Sequence, residues 1–144
     1  TQETLDELRA LSRGIAPPIL ADRGLASALQ ELAVRAPIPT GCQVDLQTDR
    51  LPAHVETAAY FVAAEALTNA AKHSGASMVT VVAVEANGTL TVDVTDDGVG
   101  GAHPAKGHGL AGLEQRVRAV DGHLRVDSPE GGPTTVAVEL PCGS

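Results

Sequence analysis

Glu65, Asn69 and His73 follow one another at four-residue steps, so on a helix their side chains share one face, with Lys72 on its flank three residues after Asn69. A carboxylate and an amide oxygen one turn apart can hold a hard cation such as Mg²⁺ or its waters, and a lysine beside them can meet phosphate oxygens as a point charge. The same spacing also suits a solvated polar face. Asp96, Gly98 and Gly100 form a D-x-G-x-G arrangement. Glycines there let the backbone approach a ligand closely, and an aspartate at a strand end can accept a hydrogen bond from an exocyclic amine such as that of adenine. A plain acidic turn has the same composition. In Gly107-His108-Gly109-Leu110 a glycine-bounded loop opens onto a helix start, whose N–H groups suit phosphate, although a bare turn reads the same way. His103 and His108, between and beside these glycines, could bind a metal or simply be solvated.

Elements must hold these residues in place. From Pro52 to His73 there is no glycine and no further proline, and Val55, Ala58, Ala59, Val62, Ala66, Leu67 and Ala70 keep a helical stripe. Two β-branched runs, Met78 to Val84 and Leu90 to Val94, flank Asn87-Gly88, a strong hairpin signal, and the second run leads directly into Asp96. Leu110, Leu113, Val117 and Val120 predict a helix stopped by Gly122, and His123 to Val126 and Thr134 to Leu140 predict two last strands. Upstream, Leu5, Leu8 and Leu11 read as the end of a short amphipathic helix closed by Pro17 and Pro18. Leu25, Ala28, Leu29, Leu32 and Ala33 read as a second helix, and Cys42, Val44 and Leu46 as a strand. The order αβαββαββ predicts an α+β fold, a two-layer sandwich with a mixed sheet of about five strands and helices on one face.

Composition narrows the function further. At 144 residues the chain suits one domain, and 43% hydrophobic with 19% charged residues exclude wholesale disorder. Aromatic residues are 1% of the chain and the formal charge is −8, which argues against a nucleic-acid partner: few rings are left to stack on bases, and the average field repels phosphate. Cys42 and Cys142 are too few for a disulfide framework and are expected to be reduced thiols. No apolar run approaches the roughly 20 residues that span a bilayer, so no membrane contact is expected of this stretch. The first residues and the Gly143-Ser144 tail suggest a piece of a longer protein.

Taken together, the motifs resemble the ATP-binding catalytic domain of two-component sensor histidine kinases, in the superfamily of gyrase, Hsp90 and MutL ATPases. Ala64-Glu65-Ala66-Leu67-Thr68-Asn69-Ala70-Ala71-Lys72-His73 looks like the N box, and Asp96-Asp97-Gly98-Val99-Gly100 like the G1 box. Gly107-His108-Gly109-Leu110-Ala111-Gly112-Leu113 looks like the G2 box, and Gly131-Gly132-Pro133-Thr134-Thr135 is similar to the last glycine-rich motif. The stretch from Arg13 to Leu29 resembles the exit from the second dimerisation helix in the nitrate/nitrite-sensor subfamily, as does a short lid, with six residues between Gly100 and Gly107.

The resemblance implies a Bergerat-type ATP-binding fold, with residues 1–23 as the end of a dimerisation helix and linker and 24–144 as the catalytic domain. It implies ATP and Mg²⁺ as ligands and transfer of the γ-phosphoryl group to a histidine on a dimerisation domain outside this stretch. By the same resemblance, Asp96 recognises the adenine amine, with Gly98 and Gly100 shaping the pocket and Thr134 closing it. Asn69 ligates Mg²⁺, Glu65 holds a metal-bound water or acts as base, Lys72 reaches phosphate, and Gly107, Gly109 and the helix start at Leu110 cradle the phosphates. The partners implied are the protein's own phosphoacceptor domain and a downstream response regulator. The location implied is cytoplasmic, whether or not the parent is membrane-anchored. A stand-alone anti-sigma-factor-type serine kinase and a nucleotide-binding interaction module without transfer activity are the alternative readings.

Overall fold

The computed structural model describes residues 16–72, 75–98 and 110–142. The first expected helix, His73, Gly100, Gly107, Gly109 and the intervening lid lie outside them. Pro18 stands in the first turn of helix α1 (Pro18–Arg23), where its missing N–H leaves no bond unmade, so residues expected as linker are helical and Leu20 is buried in the core. Gly24 separates α1 from α2 (Leu25–Arg35), which buries Leu25, Ala28 and Leu29 and stops before Pro37. Strand β1 (Thr40–Asp45) follows, ending one residue before the Leu46 expected in it.

Helix α3 (Ala53–Lys72) has 20 residues, about 30 Å of helix. Its expected stripe turns out to be one part of a helix buried on nearly every side: Tyr60, Phe61, Ala63 and Ala64 are buried along with Val55, Ala58, Ala59 and Val62. The alanines explain this, because a helix with small side chains can sit close to a sheet and to helices on its flanks at once.

The hairpin of β2 (Val79–Ala86) and β3 (Thr89–Asp96) turns on Asn87 (φ 57°) and Gly88 (φ 77°), two left-handed residues that make the tight turn matching strand twist. After helix α4 (Leu110–Arg118), strands β4 (His123–Asp127) and β5 (Thr134–Pro141) complete a five-stranded sheet in the order β1-β2-β3-β5-β4. Strand β1 runs parallel to β2 and the other pairs are antiparallel, so the sheet is mixed as expected.

Val79, Val81 and Ala83, then Leu90, Val92 and Val94, then Val136, Val138 and Leu140 line the buried face, while the residues between them are more exposed in β2 and β3. Helix α3 packs across β2, β3 and β5, with α2 on β1 and α4 on β4. Gly122 is required where α4 returns to the sheet: a Cβ there would lie 2.6 Å from Leu140 Cδ2 and 2.8 Å from the Glu139 carbonyl oxygen. Arg116 of α4 lies over the Phe61 ring, 4.1 Å from its centroid, tying α3 to α4, and within α3 Tyr60 meets Phe61 edge-on at 6.2 Å.

Candidate functional site

The buried face of β3 ends on Asp96. Alternation along the strand turns Asp96 inward, 6% exposed, and its neighbour Asp97 outward. Asp96 Oδ1 accepts a hydrogen bond from the Gly98 N–H at 2.8 Å, which folds the chain back over the carboxylate. A buried carboxylate at a strand end, with glycine backbone laid across it, is arranged to accept further donors from a ligand.

Asp97 has a different task. It accepts from the Ser77 N–H (2.7 Å), the Ser77 hydroxyl (2.5 Å) and the Met78 N–H (3.1 Å), pinning the segment after α3 to the end of β3. The Ser77 hydroxyl, then the N–H groups of Ser77 and Met78, hold the Asp97 carboxyl below its usual pKa.

In register opposite Asp96 stands Thr134, the first residue of β5, 5% exposed. Its hydroxyl lies 2.6 Å from that of Ser128. The sheet therefore sets Asp96 and Thr134 side by side. Ser128 escaped the sequence reading because nothing in a Ser-Pro turn reveals which hydroxyl it will meet.

Helix α3 lies on β3 and β5, the two strands that carry Asp96 and Thr134, and supplies the third group of residues. Asn69 is 9% exposed, so the polar row is no solvated face at this position. Its Nδ2 is the one buried side-chain nitrogen or oxygen without a hydrogen-bond partner among the described residues. Glu65, one turn earlier, is half-buried, and Lys72 is exposed at the end of the helix. Thr68, between them, donates its hydroxyl proton to the Ala64 carbonyl at 2.9 Å, which leaves only the oxygen lone pairs for any other partner. Leu110 opens α4.

Two other buried carboxylates are bound up in structure. Glu56 pairs with Arg50 (3.0 Å) and accepts from the Leu51 N–H, and Glu85 accepts from the N–H groups of Gln47 (2.8 Å) and Thr48 (3.0 Å) and from the Thr48 hydroxyl. Among the described residues no three His, Cys, Asp or Glu side chains group as a metal cage.

Residues 54–144 match the family described as histidine kinase-, DNA gyrase B- and HSP90-like ATPases. The chain belongs to this family. It is similar to the sensor histidine kinase MctS of Rhizobium johnstonii (strain DSM 114642 / LMG 32736 / 3841), with 34% identity over 93% of this chain and 31% of that protein. It is also similar to the oxygen sensor histidine kinase NreB of Staphylococcus carnosus (strain TM300), with 32% identity over 95% of this chain and 42% of that protein. The chain thus spans less than half the length of these relatives. Among solved structures, the histidine kinase domain of a blue-light-activated kinase from Erythrobacter litoralis superposes with a TM-score of 0.63 at 25% identity, over 97% of this chain and 72% of that one. The α+β sandwich is accordingly that of the ATP-binding catalytic domain of a histidine kinase. No helix among the described residues is long and apolar enough to cross a membrane.

Proposed function

We propose that this domain binds Mg·ATP and donates the γ-phosphoryl group to a histidine on a separate dimerisation domain of its parent kinase. The observation that carries the reading is the buried, unpartnered Nδ2 of Asn69 on the helix that packs on β3 and β5: such a donor is costly unless an acceptor from outside the described residues, such as a phosphate oxygen, satisfies it, while the amide oxygen of the same side chain is the atom that suits a cation. The donor set suits Mg²⁺, which keeps several waters and takes few protein ligands alongside phosphate, and so needs no larger cage. Asn69 and Glu65 are the residues that would hold it. When bound, the cation neutralises charge on the phosphate oxygens.

The protein's own groups do the rest. The Asp96 carboxylate accepts from the adenine amine, Gly98 and Gly100 bring backbone close to the base, and Thr134 flanks it. Lys72 meets phosphate oxygens, and Gly107, Gly109 and the N–H groups at Leu110 surround the phosphates. The acceptor imidazole nitrogen attacks the γ-phosphorus in line, the bond to the β-bridging oxygen breaks, and ADP leaves; the imidazole proton passes to Glu65 where its carboxylate serves as base instead of holding a metal-bound water. Most of the rate enhancement then comes from positioning.

Residues 1–23 form the junction to the dimerisation domain and 24–144 the catalytic domain, with α1 docked on it through Leu20. The nitrate/nitrite-sensor type of exit helix, a cytoplasmic setting and a response regulator downstream of the parent belong to the same proposal. The relatives named as sensor histidine kinases favour it over a stand-alone serine kinase.

Calorimetry with ADP and γ-labelled ATP transfer test it together. Wild-type protein binds ADP, Asp96→Ala loses tenfold or more in affinity, a loss of about 1.5–3 kcal/mol, and label passes to a supplied dimerisation domain rather than to this chain. Acid-labile label on this chain alone would refute the assignment of the acceptor.

A further inference from the structure

We propose that Arg50 and Glu56 are positioning residues: their ion pair clasps the joint at Gly24 between α1 and α2, and so fixes the direction in which the chain on the N-terminal side of α1 leaves the domain. The inference rests on the reading of residues 1–23 as the junction to a phosphoacceptor domain and assigns a role to an ion pair which that reading does not use.

The joint has no residue to spare. The Gly24 N–H donates to the Leu20 carbonyl at 3.0 Å, closing α1, and the Gly24 carbonyl accepts from the Ala28 N–H at 3.2 Å, opening α2. One residue thus turns the chain from one helix into the next, at φ 91° and ψ −179°, a conformation essentially reserved for glycine. A glycine has many other conformations open to it, so the turn does not hold itself. Nor does α1, whose six residues are too few for a helix to persist on its own hydrogen bonds and which buries only Leu20.

The Arg50 side chain covers the joint. A Cβ on Gly24 would lie 3.1 Å from both Cδ and Nε of Arg50 and 3.5 Å from Glu56 Oε2, so the buried glycine sits directly beneath the ion pair. Arg50 is held there by two bonds, from Nε to Glu56 Oε2 at 3.2 Å and from Nη2 to Oε1 at 3.0 Å, a fork that a lysine cannot reproduce. Glu56 stands in the first turn of α3, 2% exposed, and also accepts from the Leu51 N–H at 3.3 Å. The joint is therefore tied to the start of the helix that carries Asn69 about 20 Å further along. A tethered acceptor meets the γ-phosphate in line only over a narrow range of approach, so the exit direction governs transfer while nucleotide affinity is independent of it.

The test reads the joint and the reaction separately. In this chain, hydrogen exchange of Arg50→Ala is expected to run about tenfold faster at the amides of residues 18–28, the effect of losing charge-assisted bonds, with the amides of β2, β3 and β5 and the calorimetric affinity for ADP unchanged. In the parent kinase the same substitution leaves KM for ATP as it was and lowers kcat for transfer to the tethered histidine by about tenfold. Transfer from this chain to a separately supplied dimerisation domain does not pass through the joint and keeps its rate. Arg50→Lys, which retains the charge beside Glu56 with one prong in place of two, recovers part of both losses. If Arg50→Ala proves unfolded, Arg50→Lys takes its place and shows the same two changes to a smaller degree. Unchanged exchange at 18–28 overturns the clasp, and faster exchange with tethered transfer intact overturns its positioning role. Equal losses in ADP affinity, tethered transfer and untethered transfer overturn it as well, because they mark a general loss of folding. A wild-type chain that binds no ADP overturns the nucleotide reading instead, and the exchange pattern then still decides the clasp.

Discussion

A buried side-chain amide nitrogen without a partner, as in Asn69, costs a folded protein on the order of 1–3 kcal/mol of desolvation, which a ligand or an apolar replacement of similar shape relieves. Asn69→Leu should therefore raise the melting temperature of the ligand-free domain, by about 3 °C for each 1 kcal/mol recovered, and abolish the Mg²⁺ dependence of ADP binding. A lower melting temperature with unchanged Mg²⁺ dependence would mean that the amide serves packing and not the ligand. Asp97 makes a prediction in pH. Its folded pKa lies below the ordinary 3.8, so the carboxylate binds fewer protons folded than unfolded. The Ser77–Asp97 contribution is then fully present above pH 3.8 and is lost as the pH falls below that value through the folded pKa. Thermal melts should show a stability gap between wild type and Asp97→Asn that is flat from pH 7 to 5 and closes toward pH 2. A gap of constant size down to pH 2 would break the link to this proton.

Elements carry the next set of consequences, and the loop between β1 and α3 depends on one side chain from β2. Glu85 holds the N–H groups of Gln47 and Thr48 together with the Thr48 hydroxyl. Glu85→Ala leaves those donors to water or to nothing and should cost about 2–4 kcal/mol in urea denaturation, with ADP affinity of the folded fraction unchanged. The hairpin at Asn87-Gly88 was legible in advance because its two left-handed residues admit few alternatives, and the long helix because nothing in 53–72 interrupts it. The places of Asp96 at the end of β3 and Thr134 at the start of β5 were legible from the strand patterns beside them. Clasps such as Glu85 to 47–48, Asp97 to Ser77 and Ser128 to Thr134 were not, since each joins residues whose proximity exists only after the strands have paired. The six-residue helix α1 was missed for a related reason: a Pro-Pro pair reads as an end, while here its second member begins a turn whose single buried leucine is held by tertiary packing.

At the scale of the molecule, the sheet separates site from anchor. Asp96 and Thr134 stand at one end of the β3–β5 pair, whereas Leu90, in register with both Glu85 and Leu140, stands six residues back, about 20 Å away along the strand. The Glu85 clasp at the far end is thus separate from those of Asp97 to Ser77 and Ser128 to Thr134 at the Asp96 end. The joint between α3 and α4 has a practical corollary. The chain has no tryptophan and a single tyrosine, Tyr60, buried on α3 beside Phe61, whose ring carries Arg116. Intrinsic emission of the domain therefore comes from one fluorophore in a known place, without any label. In urea that emission should change in a single step that coincides with the loss of far-ultraviolet circular dichroism, as expected if helices and sheet unfold as one unit. An earlier step seen only by Tyr60 would reveal the packing around α3 loosening while the strands remain paired.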